Sequence, residues 1–433
     1  MTSAAEDEVV DLCRDLIRID TSNFGDSSGP GERVAAEYVA EKLTEVGLET
    51  TIVESEPKRA SVMTRVAGAD SSRPPLLIHG HLDVVPAQKE DWQVDPFSGE
   101  IRDGCVWGRG AVDMKDMDAM MLAVVRDLVR SGRKPPRDLV LAWMADEEAG
   151  GSLGASFLVD NHADFFADCT DGISEVGGFS ITLGGQRLYP VQTAEKGMSW
   201  FKLTAHGTAG HGSYINNDNP VTRLAEAIAR IGNYQFPIRL TDTARAFLLE
   251  VGEALGIELD LNDLEATLSK LGSMERLVGA TLRNTANPTV LNAGYKHNVI
   301  PGHAEALVDG RFLPGYEDEF LAEVDALLGP DIQRSMIHRD TALESPFSGP
   351  LVDAMCAALV AEDPAGKPVP FIISGGTDAK SFSRLGITGY GFSPLQLPPD
   401  LDFTGMFHGV DERVPTEALK FGCRVLDRFI ASC

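Results

Sequence analysis

Side chains that can bind a metal ion recur between residues 81 and 148 of this 433-residue sequence, each time after an apolar run or a glycine-rich bend. They are His81, Asp83, Asp113, Glu147 and Glu148. Histidine combined with several carboxylates is a ligand set for zinc or a similar divalent ion, and catalytic zinc sites keep one position open for water. The sequence therefore predicts a metal-dependent hydrolase.

His81 and Asp83 are two residues apart, so on an extended strand they point to the same side. His81 can bind a metal through one ring nitrogen while Asp83 accepts a hydrogen bond from the other, which fixes the tautomer and raises ligand basicity. A buried histidine beside a turn aspartate is the commoner explanation of an isolated His-x-Asp pair. The pair therefore indicates a metal site only in combination with the motifs that follow it.

Asp113 lies between a glycine-rich bend and a helical pattern over residues 115–131. Its two carboxylate oxygens can bridge two cations, as sites with ions about 3.5–4 Å apart require. A helix N-cap is an equally good interpretation of this residue by itself. Because the sequence contains no GxxxxGK[ST] motif, we discount nucleotide binding at the glycines.

Asp146, Glu147 and Glu148 are consecutive carboxylates after the apolar run 139–144. Carboxylates held in one site repel each other, so a nearby cation gives a reason for placing them together. Successive side chains of an extended backbone diverge, and one glutamate can then bind metal while its neighbour faces the reacting water. Solvated surface charge is an equally good interpretation of the triplet alone.

Composition argues against several classes of protein. The formal net charge of −27 disfavours nucleic acid as a partner, because phosphate binding needs clustered lysine and arginine. No apolar run approaches the length of a membrane span, and the first residues lack the features of a signal peptide. The six cysteines include no CxxC pair, which indicates reduced thiols and favours a cytoplasmic location.

Strand-like apolar runs alternate with helical patterns up to about residue 191, which is typical of an α/β sheet with a site at its strand ends. The pattern then changes to α+β, with a mostly helical insertion over 241–285. We predict a discontinuous catalytic domain, residues 1–191 and 341–433, and an inserted domain, residues 192–340. Predicted elements include strands at 61–66, 75–79 and 139–144 and helices at 115–131 and 376–385.

The ordered motifs resemble the aminoacylase, succinyl-diaminopimelate desuccinylase and glutamate carboxypeptidase family of co-catalytic zinc hydrolases. The resemblance covers most of residues 8–430, except much of 241–285, and Asp116 departs from the glycine that the family commonly has. It implies a zinc-peptidase-like α/β catalytic domain with a mixed sheet flanked by helices, plus an inserted α+β lid or dimerisation domain. The matching segments are His79–Pro86, Gly108–Lys115, Asp146–Glu148, His211–Ser213, Asn298–Gly302, Gly375–Asp378 and His408.

The resemblance implies two divalent metal ions, with zinc expected and cobalt or manganese as alternatives. His81 and Glu175 would hold one ion, and Glu148 and His408 would hold the other. Asp113 would bridge the two ions. The implied roles of the remaining residues are Asp83 as the group that orients His81, Glu147 as the general base, and Asp171 as a nearby rival of Glu175.

Three further residues receive roles from the resemblance. His211 would stabilise the oxyanion, frequently from a partner subunit, although a lone loop histidine is more often structural. Arg311 would bind a substrate carboxylate, with an internal ion pair to Asp309 as an equal alternative. Asn298 would help to bind substrate, with an asparagine turn as an equal alternative.

These expectations combine into one predicted function, the hydrolysis of an amide bond in a short peptide or an N-acyl amino acid. The resemblance does not distinguish a dipeptidase from a deacylase, and it allows a homodimer. A non-catalytic, metal-dependent binding or regulatory protein on the same fold is the main alternative, and a two-metal phosphoesterase is a weaker one. Neither nucleic acid nor a membrane is expected as a partner.

Overall fold

The computed structural model describes residues 3–269 and 275–433; Met1, Thr2 and residues 270–274 of the predicted insertion lie outside the described residues. The helices are α1 (Ala4–Arg18), α2 (Arg33–Thr44), α3 (Lys115–Arg130), α4 (Ala155–Asn161), α5 (Pro220–Asn233), α6 (Asp242–Leu255), α7 (Leu264–Ser269), α8 (Glu275–Thr281), α9 (Glu317–Leu328), α10 (Pro350–Glu362), α11 (Ala379–Ser383) and α12 (Thr416–Ser432). None of the helices in these described ranges combines the length and apolarity that crossing a bilayer requires.

The strands alternate with these helices along most of the chain. They are β1 (Thr50–Glu56), β2 (Arg59–Val66), β3 (Leu76–His81), β4 (Glu100–Arg102), β5 (Cys105–Trp107), β6 (Leu139–Met144), β7 (Asp171–Ser174), β8 (Ile181–Leu183), β9 (Gln186–Glu195), β10 (Gly197–His206), β11 (Gly210–His211), β12 (Thr285–Ala293), β13 (Val299–Ile300), β14 (His303–Phe312), β15 (Ile332–Asp340), β16 (Leu343–Glu344), β17 (Gly366–Ile373), β18 (Thr388–Gly391) and β19 (Arg413–Pro415).

A mixed sheet forms the centre of the larger part of the molecule. Its strand order is β1-β2-β6-β3-β7-β18-β9-β16, and β17 and β8 also pair with β9. The middle strands β6, β3, β7 and β18 are parallel, whereas β1, β2 and β16 join antiparallel. The predicted α/β class with a mixed sheet is confirmed.

Both faces of this sheet are covered by helices, because β3 and β6 are apolar on both sides. In β3, Leu76 and Ile78 belong to the cluster formed with α1, α3 and α12, whereas Leu77 packs with α4 and α11 on the other face. Every residue of β3 and β6 is buried, as the unbroken apolar runs predict. The strand ends therefore have fixed positions, and the loops that follow them carry the chemistry.

A second, antiparallel sheet with the order β12-β14-β10-β15 carries α5 and α9 on one face. Alternate residues of β14 are buried, among them Val308 and Phe312, which pack with Phe320 of α9. This is the half-buried alternation expected for a sheet covered on one side. Two connections join the sheets: β9 continues into β10 through Lys196, and β15 leads back into β16, which pairs with β9.

The segment predicted as a helical insertion contains α6, α7 and α8 and then enters β12 at its last residue. These helices do not extend the second sheet. They pack against β9 and β17 of the central sheet in a cluster that includes Phe247, Leu248 and Val251 of α6 with Val369 and Ile372 of β17. The insertion is thus packed on the sheet whose strand ends carry the predicted ligands.

The helix predicted over 376–385 is shorter than expected, since α11 covers only Ala379–Ser383. The preceding residues form a loop in which Thr377 donates through its backbone N–H to Glu195. This tertiary hydrogen bond takes up a backbone donor at the start of the expected helix.

Candidate metal centre and adjoining cavities

Two groups of potential ligands meet at the carboxyl ends of the parallel strands. One group contains His81, Asp113 and Glu175, the other contains Asp113, Glu148 and His408, and the candidate ligand atoms of each group lie within 4.8 Å of one another. Asp113 belongs to both groups, which is the arrangement that a carboxylate bridging two ions needs. The chain thus brings together the five side chains that were predicted as ligands.

The first group is centred on His81 at the end of β3. Its Nε2 lies 3.1 Å from Oδ1 of Asp113, 3.5 Å from Oε2 of Glu175 and 4.0 Å from Oε2 of Glu147. Glu175 follows β7 at the same end of the sheet. Asp171, its rival, begins that strand at the opposite end and pairs with Arg137, so Asp171 does not reach the group.

The second group is completed by His408, which lies far along the chain from the other ligands. Its Nε2 lies 3.0 Å from Oε2 of Glu148 and 3.3 Å from Oδ2 of Asp113. The other carboxylate oxygen of Glu148 accepts a hydrogen bond from the backbone N–H of Val85, 3.2 Å away. His408 is 56% exposed, so this group is open to the solvent on one side.

Asp83 holds together the two segments that carry the ligands. Its carboxylate accepts hydrogen bonds from the backbone N–H groups of Glu147 and Glu148, both at 3.1 Å, and lies 3.6 Å from Nδ1 of His81. The shortest contact of that ring nitrogen, 3.0 Å, is to the backbone carbonyl of Asp83. Asp83 therefore positions the turn that bears Glu147 as well as the imidazole.

Asn23 is a part of this support that we did not predict. Its side-chain amide donates to Asp83 at 2.8 Å and to Asp146 at 3.1 Å, and its oxygen accepts from Arg59 at 2.6 Å. Asn23 is buried. No local signal marks it, because these partners lie 36 to 123 residues away in the sequence.

The segment that bears His408 is fixed by a buried ion pair. Glu412 pairs with Arg109 and also accepts a hydrogen bond from the backbone N–H of Gly110, 2.8 Å away. Next to it, β19 pairs with β5. These contacts join the late part of the chain to the glycine-rich bend that precedes Asp113.

The glutamates of the centre are buried and crowded in a way that disfavours their negative charge. Burial, together with the nearby Glu175, raises the pKa of Glu147 well above its ordinary value, and burial raises the pKa of Glu175 to about 7. Hydrogen bonds to Asp113 and Glu148 raise the pKa of His408 to about 10. Divalent cations would relieve this crowding, because they stabilise the ionised carboxylates.

Two cavities of different character adjoin the ligand groups. One, of about 290 Å³, is mainly apolar. The other, of about 220 Å³, contains the cations Arg311 and Lys380 together with Asp340 and Asp378. Gly375 and Gly376 line both cavities, as do Glu147, Glu148 and His408. Glu148 and His408 of the second ligand group therefore lie where the two cavities meet.

The remaining predicted site residues separate into two places. Arg311 lines the charged cavity while its Nε donates to Oδ1 of Asp309 at 2.7 Å, so both interpretations of this residue are compatible with its position. His211 and Asn298 lie together on exposed segments, where the N–H of Gly212 donates to the carbonyl of Asn298. Neither residue lines either of the two cavities.

The sequence model of Peptidase family M20/M25/M40 matches residues 77–432, which include every residue of both ligand groups. The chain belongs to this family. Membership confirms the family resemblance and the prediction of an amide-hydrolysing enzyme.

Known M20 relatives are similar over nearly the whole chain. N-fatty-acyl-amino acid synthase/hydrolase PM20D1 from Xenopus tropicalis is 28% identical, covering 97% of this chain and 85% of that protein. A probable carboxypeptidase S-like 2 from Dictyostelium discoideum is 30% identical over 82% of this chain and 70% of that protein. The crystal structure of an M20 family metallo-carboxypeptidase from Sulfolobus solfataricus superposes with a TM-score of 0.76, at 17% identity, over 98% of this chain and 99% of that one. This last similarity concerns the fold.

Substitution of His408 tests the second ligand group. We expect His408→Ala to lower the zinc content of the purified protein by about one ion per chain, because two carboxylates alone are a poorer zinc site than two with an imidazole. Elemental analysis after dialysis against zinc and gel filtration measures this. His211→Ala is the matched control and should keep its zinc content; an equal loss in both variants would contradict the assignment.

Proposed function

We propose that this M20 enzyme hydrolyses the amide bond of N-acyl amino acids that carry an apolar acyl group and a free carboxylate. The meeting of an apolar and a charged cavity at Glu147, Glu148 and His408 is the observation that carries this proposal. A substrate with hydrocarbon on one side of its amide and a carboxylate on the other matches both cavities. The name of the Xenopus relative, an N-fatty-acyl-amino acid hydrolase, agrees with it.

The acyl group would enter the apolar cavity. Phe179, Phe371, Ile373 and Phe407 contribute to its lining, and the lining contains neither lysine nor arginine. Pockets of this kind gain affinity by removing hydrocarbon from water. A charged group at this end of the substrate would lose its hydration without gaining an opposite charge beyond the metal centre.

The carboxylate of the amino acid would enter the charged cavity. Arg311 can keep its contact with Asp309 and still offer N–H groups to a ligand, since a guanidinium has five donors. Lys380 is less available, because its Nζ donates to the carbonyl of Lys196 at 2.8 Å and lies 3.4 Å from Asp340. We therefore assign carboxylate recognition to Arg311.

The donor sets fit two divalent ions, with zinc expected and cobalt or manganese as alternatives, because imidazole with carboxylates is a ligand set common in zinc enzymes. His81, Asp113 and Glu175 would hold one ion, and Asp113, Glu148 and His408 the other. When bound, the ions lower the pKa of water and polarise the scissile carbonyl.

Glu147 is assigned the proton transfers. Its carboxylate lies beside both ligand groups and lines both cavities, so it can reach an amide that spans them. As general base it would take a proton from the attacking water and then pass it to the departing amine. Asp83 would hold the turn that bears Glu147, and the imidazole of His81, in place.

His211 and Asn298 are assigned to the active site of a neighbouring subunit in a homodimer. Their position outside both cavities supports this assignment, and the exposed His211 has a free ring nitrogen while its Nδ1 contacts the Ser213 hydroxyl at 2.8 Å. In that site the imidazole would donate to the oxyanion and Asn298 would contact the substrate. We also place the enzyme in the cytoplasm, with its six unpaired cysteines as support.

Replacement of the proposed general base should remove turnover without removing metal. We expect Glu147→Gln to lower kcat by about 10²–10⁴-fold, the range typical of general-base catalysis, while zinc content stays unchanged. Steady-state kinetics and elemental analysis measure the two quantities. Glu90→Gln, which changes an exposed glutamate, is the control; a kcat within a few-fold of wild type for Glu147→Gln would exclude the role.

Complementation between inactive variants tests the position of His211. Random mixing of Glu147→Gln and His211→Ala subunits should restore about a quarter of wild-type activity, because half of the symmetric dimers are then mixed and each holds one intact site. Unmixed variants refolded or exchanged in the same way are the control. No recovery in dimers that have exchanged subunits would refute a role in the neighbouring site.

The carboxylate assignment is tested with three substrates that share one amino acid: N-octanoyl-leucine, its carboxamide and alanyl-leucine. The wild type should hydrolyse N-octanoyl-leucine fastest. Arg311→Met should raise KM for it by about 10–100-fold, as expected for loss of a hydrogen bond between charged groups, and leave the poor carboxamide unchanged. Arg334→Met, which removes an arginine in a similar pair with Asp325, is the control; equal losses on acid and carboxamide would refute the assignment.

A further inference from the structure

The last turn of the helical insertion forms part of the apolar cavity. Thr281, at the end of α8, lines it together with Phe371 of β17 and Phe407. The hydroxyl of Thr281 donates to the carbonyl of Val278 at 2.8 Å, so its hydrogen bond is made inside the insertion. Thr281 is also buried, with 3% exposure, which makes it a wall of the cavity and not a residue at its mouth.

Helix α6 of the insertion packs against the strand that forms another part of this wall. The ring of Phe247 in α6 contacts the ring of Phe371 edge-on, with centroids 5.3 Å apart. Phe247 also packs in one apolar cluster with Val369 and Ile372 of β17. The strand that lines the cavity is therefore packed against α6 of the insertion.

The residues that follow α8 are fixed as well. The buried Nζ of Lys196 donates to the carbonyl of Arg283 at 2.5 Å, and Arg283 forms an isolated bridge with Ile238. Lys196 lies in the connection between β9 and β10, and its own backbone N–H donates to the carbonyl of Ile373. One lysine thus ties the end of the insertion to the strand that forms the opposite part of the wall.

We propose that the insertion, through Thr281, sets the length of the acyl chain that the enzyme accepts. This inference rests on the proposed function and deepens it, since it assigns acyl-chain selection to one segment. Each methylene that leaves water favours binding by about fourfold, so the depth of a fixed apolar cavity converts directly into chain-length preference. A larger side chain at position 281 removes depth at the end formed by the insertion and leaves the ligand groups intact.

Three variants and a series of acyl chains test the proposal. Thr281→Phe should lower kcat/KM for N-octanoyl- and N-hexadecanoyl-leucine by about tenfold or more relative to N-acetyl-leucine, which corresponds to two or more displaced methylenes. Thr281→Val has nearly the same shape and should keep the wild-type profile. Ala266→Phe adds the same ring to an exposed position of α7 and should also keep it.

A uniform loss on all three chains in a folded Thr281→Phe protein would overturn the proposal, as would an unchanged profile. Folding is checked by the thermal unfolding midpoint. Thr281→Leu, a smaller enlargement, replaces Thr281→Phe if the latter does not fold, and should shift the preference in the same direction. Calorimetric titration of the zinc-loaded proteins with octanoate and acetate is a second test. Thr281→Phe should bind octanoate more weakly than the wild type does, and should bind acetate equally well.

A different result would contradict the proposed function itself. If the wild type hydrolyses alanyl-leucine and phenylalanyl-leucine but none of the acyl series, N-acyl amino acids are not its substrates. The role of Thr281 is then decided by the two dipeptides, because Thr281→Phe should disfavour the one with the larger first side chain. Equal effects on both dipeptides would refute that role as well.

Discussion

Repulsion between buried carboxylates is the constraint on which the rest of this molecule depends. Two unit negative charges 4 Å apart repel by about 4 kcal/mol at the effective dielectric constant of protein sites, and the centre collects Asp113, Glu147, Glu148 and Glu175. Such a group is compatible with a folded protein only if cations, protonation or both compensate it. Burial is the main cause of the raised pKa values of Glu147 and Glu175, and repulsion by neighbouring carboxylates adds to it.

The fold holds these charged side chains together because the backbone segments that carry them are fixed by buried strands and by hydrogen bonds. His81 and Glu175 follow parallel strands whose neighbours are buried, and the turn with Glu147 is held by two N–H groups that donate to Asp83. His408 depends on a longer connection, through Glu412 to the glycine-rich bend. The same rigidity serves the cavities, since the end of β17, the start of β10 and the Gly375 loop form cavity walls.

Those parts of the fold and of the centre that have a local signature could be predicted from the sequence. The apolar runs of β3 and β6 mark buried strands, so the α/β class follows from them, and the ordered motifs after them carry the family resemblance. Asn23 has no such signature, because its partners are brought to it only by the fold. Residues 366–373 contain two prolines and alternate poorly, so the strand β17 and its cavity residue Phe371 were not expected. The position of Thr281 in the wall of the apolar cavity is equally invisible in the sequence, since it depends on how the insertion packs.

The wide separation of the ligands along the chain has a consequence for biosynthesis. His81, Asp113 and Glu175 emerge early from the ribosome, whereas His408 emerges only after the whole second sheet and the insertion have been made. During translation, all residues of the first ligand group are therefore made long before the histidine of the second group. The residues of the second group can come together only once the chain has been made as far as His408, shortly before α12.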